Sequence, residues 1–279
     1  MKADPRPSTT QPRSPILPMA IVGALLAGGA GLYLWLSRAP EAPTPVSAPS
    51  EPTVTPTPPV AAIQHPIEQV VVPPPVEPAM PLPALGDSDP LLFEALAALL
   101  ADDGWRSLLA GDFLIQRFVA TIDNLPRRKL APHLLPVRSA SGALQTAGEG
   151  GAIAIGEANA ARYDAYIKVL SAIDPERLVA LYVRLYPLFQ QAYRETGQPD
   201  GYFNDRLVEV IDELLAVPTP SGPLLLVRPK VFWEFADPVL EQASAGEKLM
   251  IRIGPAHAAT VRARLTAIRA LLVAAPPAG

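Results

Sequence analysis

Residues 16–36 read ILPMAIVGALLAGGAGLYLWL and carry no charged side chain. A helix of about 20 apolar residues spans the hydrocarbon core of a bilayer. In hydrocarbon every backbone polar group needs an internal partner, so a lone stretch of this kind is expected to be a transmembrane helix. Pro18 stands near its start, where a missing N–H costs little. Tyr33 and Trp35 stand at its far end, at headgroup depth. Lys2, Arg6 and Arg13 precede the stretch, and Arg38 alone follows it closely. The positive-inside bias puts residues 1–15 in the cytoplasm and the remainder across the inner membrane.

A cleaved signal peptide is the competing reading. Ser37-Arg38-Ala39-Pro40 suits cleavage poorly, with Arg in the middle and Pro just after. The chain has no cysteine, which excludes lipoprotein processing, disulfides and thiol catalysis. Gly23, Ala27 and Gly31 are spaced four apart, as are Ala20, Ala24 and Gly28. Small residues at that spacing let two helices approach and would support a homodimer; they are also simply common in membrane helices.

Residues 37–84 form a proline-rich spacer with Thr, Ser, Ala and Glu between the prolines. Proline fixes φ and removes a donor, so a disordered, semi-rigid tether is expected there. About 45 residues of polyproline II would reach at most on the order of 140 Å. Residues 85–274 have the composition of a globular domain, ~190 residues being enough for one hydrophobic core. Residues 275–279 are expected to be a disordered tail. The net charge is −4, which argues against nucleic acid as a partner.

Asp89-Pro90, Asp174-Pro175 and Asp237-Pro238 each precede an apolar-periodic run, and Gly254-Pro255 precedes the last. Asp is a good N-cap and Pro fits the first helical position. The domain is therefore expected to be mainly α. Helices are expected over 90–100 (burying Leu92, Leu96 and Leu99), 113–125, 157–172, 175–196, 202–216, 238–243, 244–253 and 255–273 (burying Val261, Leu265, Ile268 and Leu272). Short strands are expected at 134–138 and 152–155. Residues 224–227 and 231–235 either pair as a small β-hairpin or lie extended over the helices.

Several stretches resemble a family of uncharacterised Gram-negative bacterial proteins defined by a domain of unknown function. They are FVATIDNLPR (118–127), LLPVR (134–138), LVALYVRLYPLFQQAY (178–193), FNDRLVEVID (203–212) and FADPVLEQASAGEKLMIRIGP (235–255). The resemblance runs through nearly all of residues 82–272. It implies an N-terminal membrane helix and a proline-rich spacer, and no established activity. Gln198 departs from the aromatic residue expected before Pro199, which bears only on local turn packing.

His65, His133 and His257 lack metal-type spacing, and the chain has no GxSxG, P-loop or dinucleotide fingerprint. No cofactor or metal is expected. Asp123, Asp164, Asp205 and Glu209 are carboxylates of the type a cell-wall hydrolase would pair, although helical Asp and Glu are usually solvated or Arg-paired. Arg127, Arg128, Lys129 and Arg138 would form an anion-binding lip, or else complement a helix C-terminus. Tyr163, Tyr166, Tyr202 and Trp233, with Asn204, Asp205 and Arg206, complete the candidate binding set as stacking and polar surface. The expectation is an anchored periplasmic binding or scaffold protein with an envelope-protein or peptidoglycan partner; a carboxylate-dependent wall hydrolase is the alternative.

Overall fold

Large apolar side chains recur at helical spacing through Pro175–Glu195, and this helix is the axis of the fold. The computed structural model describes residues 62–72, 81–150 and 152–273. Its α-helices are α1 (Asp89–Leu99), α2 (Leu114–Asn124), α3 (Asp164–Ala172), α4 (Pro175–Glu195), α5 (Phe203–Ala216), α6 (Pro238–Gln242), α7 (Ala245–Arg252) and α8 (Pro255–Leu272). The expectations for residues 1–15, for the apolar stretch 16–36, for much of the spacer and for the tail lie outside the described residues. Among the described residues no helix is long and apolar enough to cross a membrane.

α4 buries Val179, Tyr182, Leu185, Tyr186, Leu188, Phe189, Ala192 and Tyr193 along one side, with Pro187 inside the helix. α2 packs against α4, and α8 lies across α3, α4 and α5. The rings of Phe189 and Phe203 stack 6.0 Å apart, joining α4 to the start of α5. Each such side chain, fully buried, stabilises the fold by roughly 1.5–3 kcal/mol. A second apolar cluster gathers Val217, Leu226, Phe235, Met250, Ile251, Ile253 and Ala258.

The Asp-Pro starts behave in two ways. Asp174 and Asp237 cap their own helices, accepting the N–H groups of Arg177 and Val239. Asp89 does not. Ser88 holds the N-cap position of α1, and Asp89 is the first helical residue. Its carboxylate reaches forward instead and accepts the N–H groups of Phe113 and Leu114 at 2.6 and 2.9 Å, capping α2. Gly254 precedes α8 with φ +87°, a conformation that glycine adopts without a Cβ penalty.

The domain is mainly helical, with small antiparallel strand pairs. β1 (Thr146–Ala147) pairs with β2 (Ala154–Ile155), Thr146 opposite Ile155. β3 (Leu226–Val227) pairs with β4 (Glu234–Phe235), Leu226 opposite Phe235, so the second expected pair does form a hairpin. The strand expected at 134–138 is reduced to one bridge between Val137 and Leu109. Pro132 and Pro136 remove donors that a ladder there would need.

Burial is shallower than expected at the two ends of the bundle. Leu92, Leu96 and Leu99 of α1 and Val261, Leu265 and Ile268 of α8 are half-buried. Leu100, Ala258 and Leu272 are the buried residues there.

The spacer contains a segment that packs on the domain. In the sequence His65 to Val72 reads as tether, yet Ile67 and Val70 are only 7% and 6% exposed and belong to the main core. A short 3₁₀ turn over Ile67–Gln69 aims both side chains inward.

Candidate functional site

The docked segment is held mainly by the first turn of α5. The Asp205 carboxylate accepts the Gln64 N–H at 2.9 Å and the His65 N–H at 2.7 Å. The Asn204 side-chain amide donates to the His65 carbonyl at 2.8 Å. The Tyr202 hydroxyl accepts the Ile67 N–H at 2.7 Å. All four bonds address main-chain groups of the segment. Pro66, with no N–H to satisfy, sits where the donors are interrupted.

This clamp is rigid because its members are themselves held. Asn204 is fully buried, and its carbonyl oxygen accepts the Tyr182 hydroxyl at 3.3 Å. The Gln190 side chain accepts from Tyr186 and from the Phe203 N–H, and donates to the Gly201 carbonyl. The turn preceding α5 is thereby bonded to α4. Burial pushes the phenols of Tyr182, Tyr186 and Tyr193 above their ordinary range. Tyr182 and Tyr186 act as neutral hydrogen-bond donors, and none of the three is poised to give up a proton near neutral pH.

Arg206 faces away from the segment. It lies 3.3 Å from Asp123 and 2.7 Å from Glu209, and it also donates to the Asp123 carbonyl. Asp123 is buried and is paired a second time by Arg127 at 2.9 Å. Burial works against the Arg206 charge, but Glu209 and Asp123 outweigh it and keep the guanidinium firmly protonated.

The remaining candidates fall elsewhere. Arg128 and Lys129 are exposed beyond α2. Arg138 is tied to the Leu109 carbonyl, and Tyr166 donates to the Arg138 carbonyl, pinning a loop. Tyr163 and Trp233 pack on the second apolar cluster, with Arg162 and Arg228 over their rings. The structure thus brings Tyr202, Asn204 and Asp205 onto one segment of the same chain, and links Arg206 to Arg127 through Asp123.

Among the four carboxylates suited to hydrolysis, Asp123 and Glu209 are Arg-paired, and Asp205 is occupied by the segment. The exposed Asp164 contacts His257 at 2.8 Å. Among the described residues no group of three or more His, Cys, Asp and Glu could hold a metal ion.

Sequence reasoning singled out the α5 start but missed the segment docked on it and its support. Tyr182 and Tyr186 read as core-stripe residues, and Gln190 carries no signal in the sequence. The one available signal was the thinning of proline over residues 60–72, where VAAIQH and IEQVVV flank the single Pro66.

The family model described as a protein of unknown function (DUF3014) matches residues 114–269. No curated protein and no solved structure matches the chain.

Proposed function

We propose that this chain, which belongs to the DUF3014 family of unknown function, is an inner-membrane-anchored, periplasmic binding protein of the cell envelope whose α5 clamp takes up a peptide segment by its main chain. The observation that carries the reading is the set of bonds from Asp205, Asn204 and Tyr202 to main-chain groups of residues 64–67. Recognition through the main chain is tolerant of sequence, and selectivity then rests on the pockets for two side chains. Here those are Ile67 and Val70, three residues apart. A suitable partner segment enters extended and closes in one 3₁₀ turn, with an apolar residue just after a proline and another three positions on.

The segment is displaceable on energetic grounds. Ordering the backbone costs about 1–2 kcal/mol per residue. Burying Ile67 and Val70 returns about 1.5–3 kcal/mol each. The hydrogen bonds to Asp205 add about 1.5–3 kcal/mol each and the two neutral ones about 0.5–1.5. These gains and costs are of similar size, so the segment is held by a small margin together with the effective concentration its tether gives it, and a competing peptide must exceed both. Anchoring and side of the membrane rest on the apolar stretch 16–36 and its basic head. A homodimer through that stretch and a wall-glycan partner have no further support, and the hydrolase alternative has none in the carboxylate environments.

The test uses a fluorescent peptide of residues 61–73 and the full chain carrying Ile67→Asp and Val70→Asp, which frees the clamp. Anisotropy should show saturable binding to that variant and at least about tenfold weaker binding to the parent chain. Adding Asp205→Ala should abolish it. No binding by a freed-clamp variant with unchanged helicity overturns the reading. A C-terminal alkaline phosphatase fusion should be active, as a periplasmic domain requires.

A further inference from the structure

The hairpin β3–β4 carries a second surface, independent of the clamp. Its base is fixed in the second core, where Leu226 and Phe235 are 5% and 2% exposed. The Phe235 N–H donates to Glu241, and the Arg252 guanidinium lies 5.0 Å from the Phe235 ring centroid. The connecting turn is fixed as well. Arg228 Nε donates to the Val231 carbonyl at 3.0 Å, and its guanidinium sits 5.6 Å from the Trp233 centroid. Yet Val231 and Phe232 point away from all of this, 67% and 78% exposed. Lys230 is exposed beside them and has no carboxylate within ion-pairing distance among the described residues.

We propose that this tip inserts into the headgroup layer of an anionic lipid bilayer. Three observations favour lipid over a protein partner. Val231 and Phe232, even with the partly exposed Val227 of β3, offer far less area than the roughly 800 Å² per partner of a stable protein interface. An exposed Val–Phe pair beside a lysine suits the membrane–water interface, where the apolar side chains enter the acyl boundary and the basic residue meets anionic headgroups. The nearest acidic groups stay at the base: Glu234 is half-buried on β4, and Asp237 caps α6. A bilayer is also within reach, since residues 16–36 supply an apolar span on the same chain. The tip would set the domain down on the membrane and orient the clamp with respect to it.

The absence of cysteine makes Val231→Cys a unique labelling site. The full chain, labelled there with an environment-sensitive fluorophore, is reconstituted into nanodiscs of phosphatidylcholine with or without phosphatidylglycerol. The expected result is a blue-shifted emission, quenched by shallow spin-labelled lipid, in the anionic discs alone. Lys230→Glu and Phe232→Ser should each reduce the shifted population about tenfold or more, and high salt should reverse it. Emission that stays solvent-like in anionic discs overturns the proposal. So does an equal shift in both discs, or a shift that depends on protein concentration and not on lipid, which would indicate protein contact instead.

Discussion

Asp205 accepts the His65 main-chain N–H at 2.7 Å, joining residues 140 positions apart. The same carboxylate takes the Gln64 N–H, so one side chain fixes the entry of the docked segment into the domain. Asp205→Asn replaces an acceptor oxygen by a donor that faces those N–H groups. The expected loss is about 1.5–3 kcal/mol per charged hydrogen bond, felt locally. Amide exchange should rise at Gln64, His65 and Ile67, and proteolysis between 62 and 72 should accelerate, while α4 and α8 stay protected. Unchanged exchange at those three amides would show that the segment is held by Ile67 and Val70 alone.

The Asp123–Arg206 pair sits under the clamp with side chains 10% and 19% exposed. Removing one member of a buried pair strands the other charge, at a cost of about 3–5 kcal/mol. Glu209, on the solvent side, compensates only in part. Asp123→Leu is thus expected to destabilise strongly, and Asp123→Leu with Arg206→Met much less than the two single changes together. Urea unfolding of the four members of this cycle measures the coupling; simple additivity would refute it.

How much of this was legible beforehand depends on how local the signal is. The stripe of α4 and α5 follows from side-chain spacing alone, and the capping roles of Asp174 and Asp237 follow from position. Asp89 has the same dipeptide but a different job, because its partners at Phe113 and Leu114 lie 24 and 25 residues on. The spacer reads as a tether, and most of it lies outside the described residues. That Ile67 and Val70 enter the core was not legible, since side-chain bonds to an irregular backbone leave no period in the sequence. Tyr202, Asn204 and Asp205 stood out by residue type, whereas Tyr186 reads as ordinary core and Gln190, which ties the turn before α5 to α4, leaves no signal.

Alkaline pH should unfold the domain through its buried phenols. Burial raises Tyr182, Tyr186 and Tyr193 above the ordinary tyrosine value of 10.0. A raised folded-state value means that the fold favours the neutral phenol. That contribution is complete below pH 10 and is lost as pH climbs past it. The melting temperature should be flat to about pH 9 and fall above 10. Tyr186→Phe should show a shallower alkaline fall, after a neutral-pH loss of about 0.5–1.5 kcal/mol for its bond to Gln190. A wild-type alkaline slope unaffected by this change would exclude Tyr186 as a contributor.

Asp89 and Phe113 give a last test, since the first compensates for the second. Phe113 has φ +61°, unusual for a non-glycine residue, and its ring is largely exposed. The left-handed conformation costs an L-residue roughly 1–2 kcal/mol. The Asp89 carboxylate offsets this by capping the Phe113 and Leu114 N–H groups. Asp89→Ala should therefore lose about 1–2 kcal/mol, the upper range for a helix cap. Phe113→Gly removes the strain and sacrifices little burial, so it should be neutral to stabilising by up to about 1 kcal/mol despite the greater entropy of an unfolded glycine. Thermal melts of both single variants and the double variant decide the matter. A strongly destabilising Phe113→Gly would mean that the ring, not the turn, is what the position requires.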